Sequence, residues 1–297
     1  MSPGGASIAV IVPVYNGEPV VTRCLDSVLG QDIDRMEVVV IDDGSTDGSW
    51  DAVSAVRDRR LVADRRTHDG VSSARNMGAR LARAPVLTFL DCDDEAMGGW
   101  LDAFMTKLAD PRCAAVCCGV EETQGSQGRS RIRLPVDMGG AFDHCVGLFL
   151  PGSYAVRRDV FDAIGGFDRR MSYGEHHELA LRLISYCRSR RLRIEEVRRP
   201  LVHRVRSRPP RERLKSYRRA RYESTLRLVE THREQLGRSP ERLSNHLANG
   251  GLSAVGMGER RAGRRLLREA IRVHPGRLRN YSRLAISFVP PVAERLW

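Results

Sequence analysis

Lysine is almost absent: of 49 basic residues only Lys107 and Lys215 are lysines, and arginine carries the remaining positive charge. Also missing is any apolar run near the ~20 residues that a membrane-spanning helix needs, so contact with a bilayer is expected to be peripheral. The start MSPGGASIAV has no basic segment ahead of its first apolar stretch, so no secretory signal is read there and a cytoplasmic location is expected. The seven cysteines are odd in number, which argues against a secreted disulfide framework in a chain of this size. Cys113, Cys117 and Cys118 crowd into CAAVCCGV without the paired spacing and nearby histidines of a zinc site, and read as small core residues of a strand. No G-x-G-x-x-G follows the first strand pattern and no phosphate loop with its Lys-Ser/Thr is present, which disfavours dinucleotide-binding and P-loop folds.

What is present divides unevenly. Residues 1–150 carry 15 Lys+Arg against 22 Asp+Glu, whereas residues 151–297 carry 34 against 15. A basic half beside an acidic one suggests a polyanion or an anionic membrane surface as partner of the second half. The 41% hydrophobic content supports a sizeable core. SIAVIVPVY (7–15), Glu37–Ile41, Leu61–Ala63, Val86–Leu90 and Ala114–Val120 read as strands. Helices are expected from Pro19 to Gly30, with Val20, Cys24, Leu25 and Val28 inward, after a Thr46 or Asp47 cap, over 71–83 and over 99–108. Strands and helices alternating at this interval predict a mostly parallel central sheet flanked by helices.

Three of these strands end in polar clusters: Tyr15-Asn16, Asp42-Asp43 and Asp91-Cys92-Asp93-Asp94. Ligands of open α/β sheets collect at the carboxyl ends of strands, so one shared site is expected. Carboxylates this closely spaced repel one another unless a cation sits among them, which points to a hard divalent metal.

VIVPVYNGE, Cys24–Gln31 (C-L-x-S-V-L-x-Q), VVVIDDGSTDGS, GVSSARNMG and FLDCDDE resemble, in order, the inverting family 2 glycosyltransferases of GT-A fold. The likeness runs over about 7–110 and continues more weakly through Ser153–Leu183, in GSYAVRRDVFDAIGGFDRR. It implies a Rossmann-like GT-A domain over 1–205, with a nucleotide-sugar half (1–110) and an acceptor half (111–205). The resemblance further implies that Pro13, Tyr15 and Glu18 flank the base and ribose of a nucleotide-sugar donor. Asp43, with Asp42 as the less certain partner, would hydrogen-bond the base, and Arg75 would lie near the phosphates or the carboxylates. Asp91 would bind ribose or metal-bound water, and Asp93 would ligate Mn²⁺ or Mg²⁺. A UDP-sugar is the leading donor, with a dTDP-sugar fitting similar contacts.

The acceptor half departs from the family pattern, which usually has Gly-Glu-Asp with the Asp six residues before a helical arginine. Here the segment is Gly174-Glu175-His176-His177-Glu178 and six residues before Arg182 stands His176. A histidine of ordinary pKa ~6.5 accepts a proton at neutral pH. Either His176 or Glu175 is read as the base that deprotonates an acceptor hydroxyl, with Glu178 near the same helix start; a chain that has lost its base is the other reading. His203, Arg204 and Arg206 are candidates for reaching back to metal or diphosphate, His203 as a metal ligand.

From Pro209 the composition turns to arginine-rich helix, giving a basic extension over 206–297. A long segment with Tyr217, Ala220, Tyr222, Leu226 and Val229 on one face precedes a helical pair, about 241–255 and 259–273. The second of the pair puts Ala262, Leu266, Ala270 and Ile271 on one face and resembles the second helix of a tetratricopeptide unit. One such unit does not make a solenoid core. The tail Leu284–Trp297, with Pro290-Pro291 and aromatics, reads as a satellite core contact, with a lipid contact as the alternative. The sequence as a whole reads as a metal-dependent inverting glycosyltransferase acting on a hydroxyl acceptor (a glycan, a lipid-linked glycan or a secondary metabolite), able to form a homo-oligomer. A catalytically silent relative serving as a nucleotide- or glycan-binding scaffold is the rival, and nucleic-acid binding by the basic tail is the weakest reading.

Overall fold

The computed structural model describes residues 7–33, 35–124, 128, 130–206 and 214–289. The expected tail beyond 289 and the start of the extension at Pro209 lie outside the described residues, as does the side chain of Arg206. The chain forms two compact units: 1–138 with 145–169 and 182–207, and 139–144 with 170–181 and 208–297.

The first unit begins with β1 (Ile8–Val14), α1 (Glu18–Leu29), β2 (Met36–Asp42), α2 (Ser49–Ala55), β3 (Leu61–Arg65), α3 (Val71–Leu81) and β4 (Val86–Phe89). These four strands lie in the order β3-β2-β1-β4, all parallel. Every residue of β1 and β4 is buried, as continuous apolar runs covered on both faces should be. Pro13 sits in a central strand without cost. β4 pairs with β1 only as far as Ile11, so no ladder on that side needs the N–H that proline lacks. On α1 the inward stripe is Val21, Cys24, Leu25 and Val28, the i, i+3, i+4, i+7 set; Val20 falls off it, correcting that expectation.

The sheet continues through β5 (Asp94–Ala96), α4 (Trp100–Leu108), β6 (Cys113–Gln124), β7 (Ser130–Arg133), β8 (Val136–Asp137), β9 (Val146–Gly147), β10 (Tyr154–Arg157), α5 (Arg158–Ala163), α6 (Glu175–Ser189) and β11 (Arg193–Arg206). β10 enters antiparallel between β4 and β6, β11 runs parallel to β6, and β5 pairs antiparallel at the far edge. β7 folds back on β6 as a hairpin, and β8 and β9 make a small second sheet. Cys113, Cys117 and Cys118 are buried in β6.

The second unit holds a short 3-10 turn (Gly140–Phe142), the first two turns of α6, and α7 (Leu214–Gly237), α8 (Pro240–Gly256), α9 (Arg260–Val273) and α10 (Leu278–Ile286). The inward residues of α7 are Ser224, Thr225, Leu228, Val229, His232 and Leu236, so of the apolar face expected there only Val229 is buried. α8 and α9 approach closely because both contribute glycine: a Cβ on Gly263 would lie 2.5 Å from Val255 Cγ2 and 2.7 Å from the Gly251 carbonyl. On α9 the buried set is Gly263, Leu266, Leu267 and Ala270.

Candidate functional site

The carboxyl ends of β1, β2 and β4 are adjacent, and the loops that leave them are tied together by hydrogen bonds. Asn16, at a positive φ of 52°, accepts at Oδ1 from the Thr46 N–H at 2.8 Å, while its own N–H donates to Ser45 Oγ at 3.0 Å. Glu18 accepts the Gly48 N–H at 3.1 Å, and the Glu18 N–H donates to Asp47 at 3.2 Å. Asp47 also holds the Ser49 N–H at 3.1 Å at the start of α2, where the N-cap residue itself is Gly48.

The two aspartates that end β2 do different work. Asp42 is fully buried and turns its Oδ1 back on the Gly44 and Ser45 N–H groups at 3.0 and 2.9 Å, which shapes the loop. Asp43 spans to the start of α3: its two oxygens accept the Asp69 and Gly70 N–H groups at 2.9 Å each, and His68 Nδ1 stands 2.9 Å from Oδ2. Gly70 reaches this position at φ 91°, where a side chain would strain the backbone. With about four acceptor positions on a carboxylate, one direction of Asp43 stays open to a ligand. The His68 ring stacks on Tyr15, centroids 4.2 Å apart and planes 27° apart, and Tyr15 is 44% exposed. A cavity of about 760 Å³ opens at Asp43, lined also by Asp69, Met77, Arg66, Arg80 and Arg169 among others.

At the end of β4, Asp91, Asp93 and Asp94 each offer an oxygen within 4.8 Å of the others. Asp93 is exposed, yet desolvation at the sheet rim and the neighbouring Asp91 hold its carboxyl above the ordinary range. Asp94 is buried, which raises its carboxyl well above that range against the opposing pull of Arg204, 2.8 Å away. Three crowded oxygen donors with no nitrogen or sulfur among them suit a hard divalent cation of the Mg²⁺ or Mn²⁺ kind. Asp91 also takes Arg75 Nη2 at 2.5 Å, and that guanidinium, 1% exposed, lies 5.4 Å over the Phe167 ring. Asn76 fixes Phe167 from both sides, donating to its carbonyl at 2.8 Å and accepting its N–H at 2.9 Å. Cys92 is packing, with a thiol pushed up to about 12 chiefly by burial and with Sγ only 2.9 Å from where a Cβ on Gly17 would stand.

His203 does not join the carboxylate group: its Nε2 meets Thr123 Oγ1 at 2.9 Å and its Nδ1 stands 3.7 Å from Glu95. Alternation along β11 gives the next residue, Arg204, the approach to Asp94 and, at 3.7 Å, to Glu122.

In the second unit, α6 begins after Gly174 (φ 72°). Glu178 is committed to His232 Nε2 at 3.0 Å, both side chains buried. His177 Nε2 lies 3.3 Å from His246 Nε2, and its ring meets Phe142 edge-on at 4.8 Å. Burial and the charges of Arg242 and its neighbours lower His177 to about 3 and His246 to about 4. Glu175 and His176 sit side by side on the first turn, Oε1 to Nε2 at 3.7 Å, 9% and 5% exposed.

His68, Asn76, Phe167 and Asp94 were given no individual role from the sequence. Asn76 and Phe167 do lie inside the family-like segments GVSSARNMG and GGFDRR, but a role as a brace is not visible in a motif. His68 had no signal at all.

A mostly parallel sheet with its polar clusters on adjoining strand ends is the GT-A architecture of glycosyltransferases. Staphylococcus aureus TarS 1–349, solved in complex with UDP-GlcNAc, superimposes with a TM-score of 0.65 at 16% identity over 97% of this chain and 89% of that one. The mannosyltransferase PcManGT from Pyrobaculum calidifontis, solved in complex with GDP-Man and Mn²⁺, gives 0.56 at 20% identity over 99% and 88%. The chain belongs to glycosyl transferase family 2, whose model matches residues 9–165. Among curated relatives, the uncharacterized glycosyltransferase EpsJ of Bacillus subtilis is 32% identical over 114 residues, 38% of this chain and 33% of that protein. The chain spans about a third or less of the length of the curated relatives it matches.

Proposed function

We propose that the protein is a metal-dependent, inverting glycosyltransferase that moves a sugar from a nucleotide diphosphate sugar to a hydroxyl acceptor. The observation that carries the reading is the convergence of Asp91, Asp93 and Asp94, braced by buried Arg75, beside Asp43 and Tyr15 at the carboxyl ends of three adjacent parallel strands. Asp43 keeps one acceptor direction for the base N–H, and the exposed Tyr15 offers a ring face and Pro13 and Glu18 the walls of that end. Asp93 and Asp91 would hold Mn²⁺ or Mg²⁺, with Asp94 behind them, and the cation when bound offsets charge on the departing diphosphate. Arg75 holds Asp91 in place through its ion pair. His203, with its ring turned to Thr123 and Glu95, is left out of the metal set.

The acceptor proton is assigned to His176 or Glu175, because Glu178 is spent on His232. The 5% exposure of His176 and the histidine in place of an aspartate favour the second reading, a nucleotide-binding relative without turnover. A UDP-sugar is the proposed donor, as in the UDP-GlcNAc complex of TarS, and a dTDP-sugar the alternative. An acceptor carried on a lipid would bring the chain to an anionic membrane at the cytoplasmic face, as a monomer or a homo-oligomer.

Calorimetric titration with UDP-, dTDP- and GDP-sugars, each with Mn²⁺ and with EDTA, tests the donor reading. A UDP-sugar is expected to bind with Mn²⁺ and to weaken sharply on chelation; if no nucleotide sugar binds, the reading falls. Nucleotide release across an acceptor panel then separates the transferase from the silent relative.

A further inference from the structure

The last two helices turn unusual faces outward. On α9, the buried positions are opposed by Arg261, Arg265, Arg268 and Arg272, all exposed, at spacings of four, three and four that align them in one stripe. Between Arg260 and Val289 the sequence has one acidic residue, Glu269, and that carboxylate is taken by Arg233 of α7. Among the described residues none of the four stripe arginines makes an ion pair, so their charge faces solvent uncompensated. Positive charge is dense enough to act internally: after burial, Arg279, Arg277 and Arg221 depress the Arg283 guanidinium below its usual value.

α10 turns large apolar side chains outward beside Arg279 and Ser282, with Leu284 and Ile286 half-buried. Its buried residue is polar Asn280, which donates to Ser244 Oγ at 2.9 Å, and Ser287 just beyond the helix is buried too. Outward stand Leu278 at 80% exposure and Tyr281 at 46%, three residues apart on the helix, with Phe288 at 52% and Val289 at 49% just past its end. Arg264 of α9 lies 3.9 Å over the Phe288 ring and donates to the Ser287 carbonyl at 2.9 Å, so the basic helix and the apolar side are joined. In a helix held only by its own bundle, these apolar side chains would face inward.

We propose that the outer side of α9 and α10 docks on an anionic lipid surface, with Arg261, Arg265, Arg268 and Arg272 against the lipid phosphates and Leu278, Tyr281 and Phe288 in the headgroup boundary. Guanidinium groups beside an aliphatic and aromatic stripe match a surface that is charged outside and oily beneath. A nucleic acid would use the arginines and leave Leu278 in water. The inference deepens the membrane partner proposed above and does not need the transferase reading, since binding to lipid is read without donor or acceptor.

The test is co-sedimentation of the full chain with phosphatidylcholine vesicles, with and without phosphatidylglycerol. The protein is expected to partition onto the anionic vesicles and stay free of the neutral ones. Replacing the four stripe arginines by glutamine is expected to weaken partitioning more than about 100-fold, at about fivefold per arginine near such a surface. Leu278→Ser with Tyr281→Ser, both at exposed positions, is expected to weaken it about tenfold, with helical content and nucleotide-sugar titration unchanged in both variants. Wild-type protein that ignores anionic vesicles overturns the proposal. So does a Leu278→Ser/Tyr281→Ser variant that binds as wild type, because the surface would then be a general polyanion site, read out by equal binding to duplex DNA or RNA. If nucleotide sugars fail to bind while vesicles do, the donor reading is lost and the docking surface stands.

Discussion

At the carboxyl ends of β1, β2 and β4, acidic side chains are held by backbone N–H groups and one buried arginine; at the first turns of α6, polar side chains are held by other side chains from distant helices. Asp42 and Asp43 are fixed by Gly44, Ser45, Asp69 and Gly70, and Asp91 by Arg75. Glu178 and His177 instead depend on His232 and His246, 54 and 69 residues away. Backbone donors come with the strand–loop–helix unit itself and cannot be removed by changing a side chain, so the first arrangement is set by local chain geometry. Side-chain partners can drift, and the second arrangement is the one in which the expected aspartate has become His176. In the proposed reading, the residues assigned to the donor are therefore held by backbone, and those assigned to the acceptor proton lie among side chains held by other side chains.

Loss of Asp91 or Asp93 is expected to act most strongly. Asp93→Ala is expected to lower nucleotide release by about 10²–10³-fold, the scale for removing one element of leaving-group stabilisation, while the melting temperature holds because the residue is exposed. Asp91→Ala is expected to lose as much activity and also about 3 kcal/mol of stability, because it strips buried Arg75 of its carboxylate. Steady-state release assays beside denaturant unfolding check both; if Asp91→Ala melts as wild type, Arg75 does not depend on it.

The base is the next test. If His176 takes the proton, His176→Ala is expected to cut kcat by about 10²–10⁴-fold with donor affinity intact, and Glu175→Gln to cost far less. The reverse order makes Glu175 the base. Equal full activity in both variants would mean that neither touches the proton, and that the start of α6 serves structure alone.

How far each region was legible follows from the same difference. β1, β2 and β4, and the clusters at their ends, could be read because a buried parallel strand is a continuous apolar run and the site begins where it stops. The insertion of β10 between β4 and β6 could not, since a four-residue strand, Tyr154–Arg157, carries no record of its neighbours. Val21 replaces Val20 on α1 because a rotation of one position is settled by what the helix packs on. On α7 the apolar pattern misleads, as Ser224 and His232 point inward to polar partners and Thr225 packs against Gly250, while Tyr217 stays 37% exposed. His203 and Arg204 illustrate the strand version: adjacent residues face opposite ways, and only the β5–β11 register shows that Arg204 is the one opposite Asp94. Asn76 and Phe167 brace Arg75 across 91 residues, a relation that no local pattern encodes.

The smallest expected effect concerns the histidines of the second unit. The 3.3 Å contact of His177 Nε2 with His246 Nε2 needs one ring to accept and therefore to be neutral. Arg242 and Arg221 add positive charge around the pair, with His232 nearby held by Glu178. Folded values of about 3 and about 4 lie below the ordinary ~6.5, so between those limits the unfolded chain binds more protons than the folded one. The stability these neutral rings contribute is complete above pH ~6.5 and is lost as pH falls toward 4 and 3. The melting midpoint of the wild type is therefore expected to drop by roughly 5 °C between pH 7 and pH 5, and the drop to shrink in His246→Leu, which removes one of the two protonation sites. Calorimetric scans of both proteins across that range decide it. An identical pH dependence in wild type and variant would move the acid sensitivity to the carboxylates of the first unit, and would leave the two regions alike in the respect in which they are here set apart.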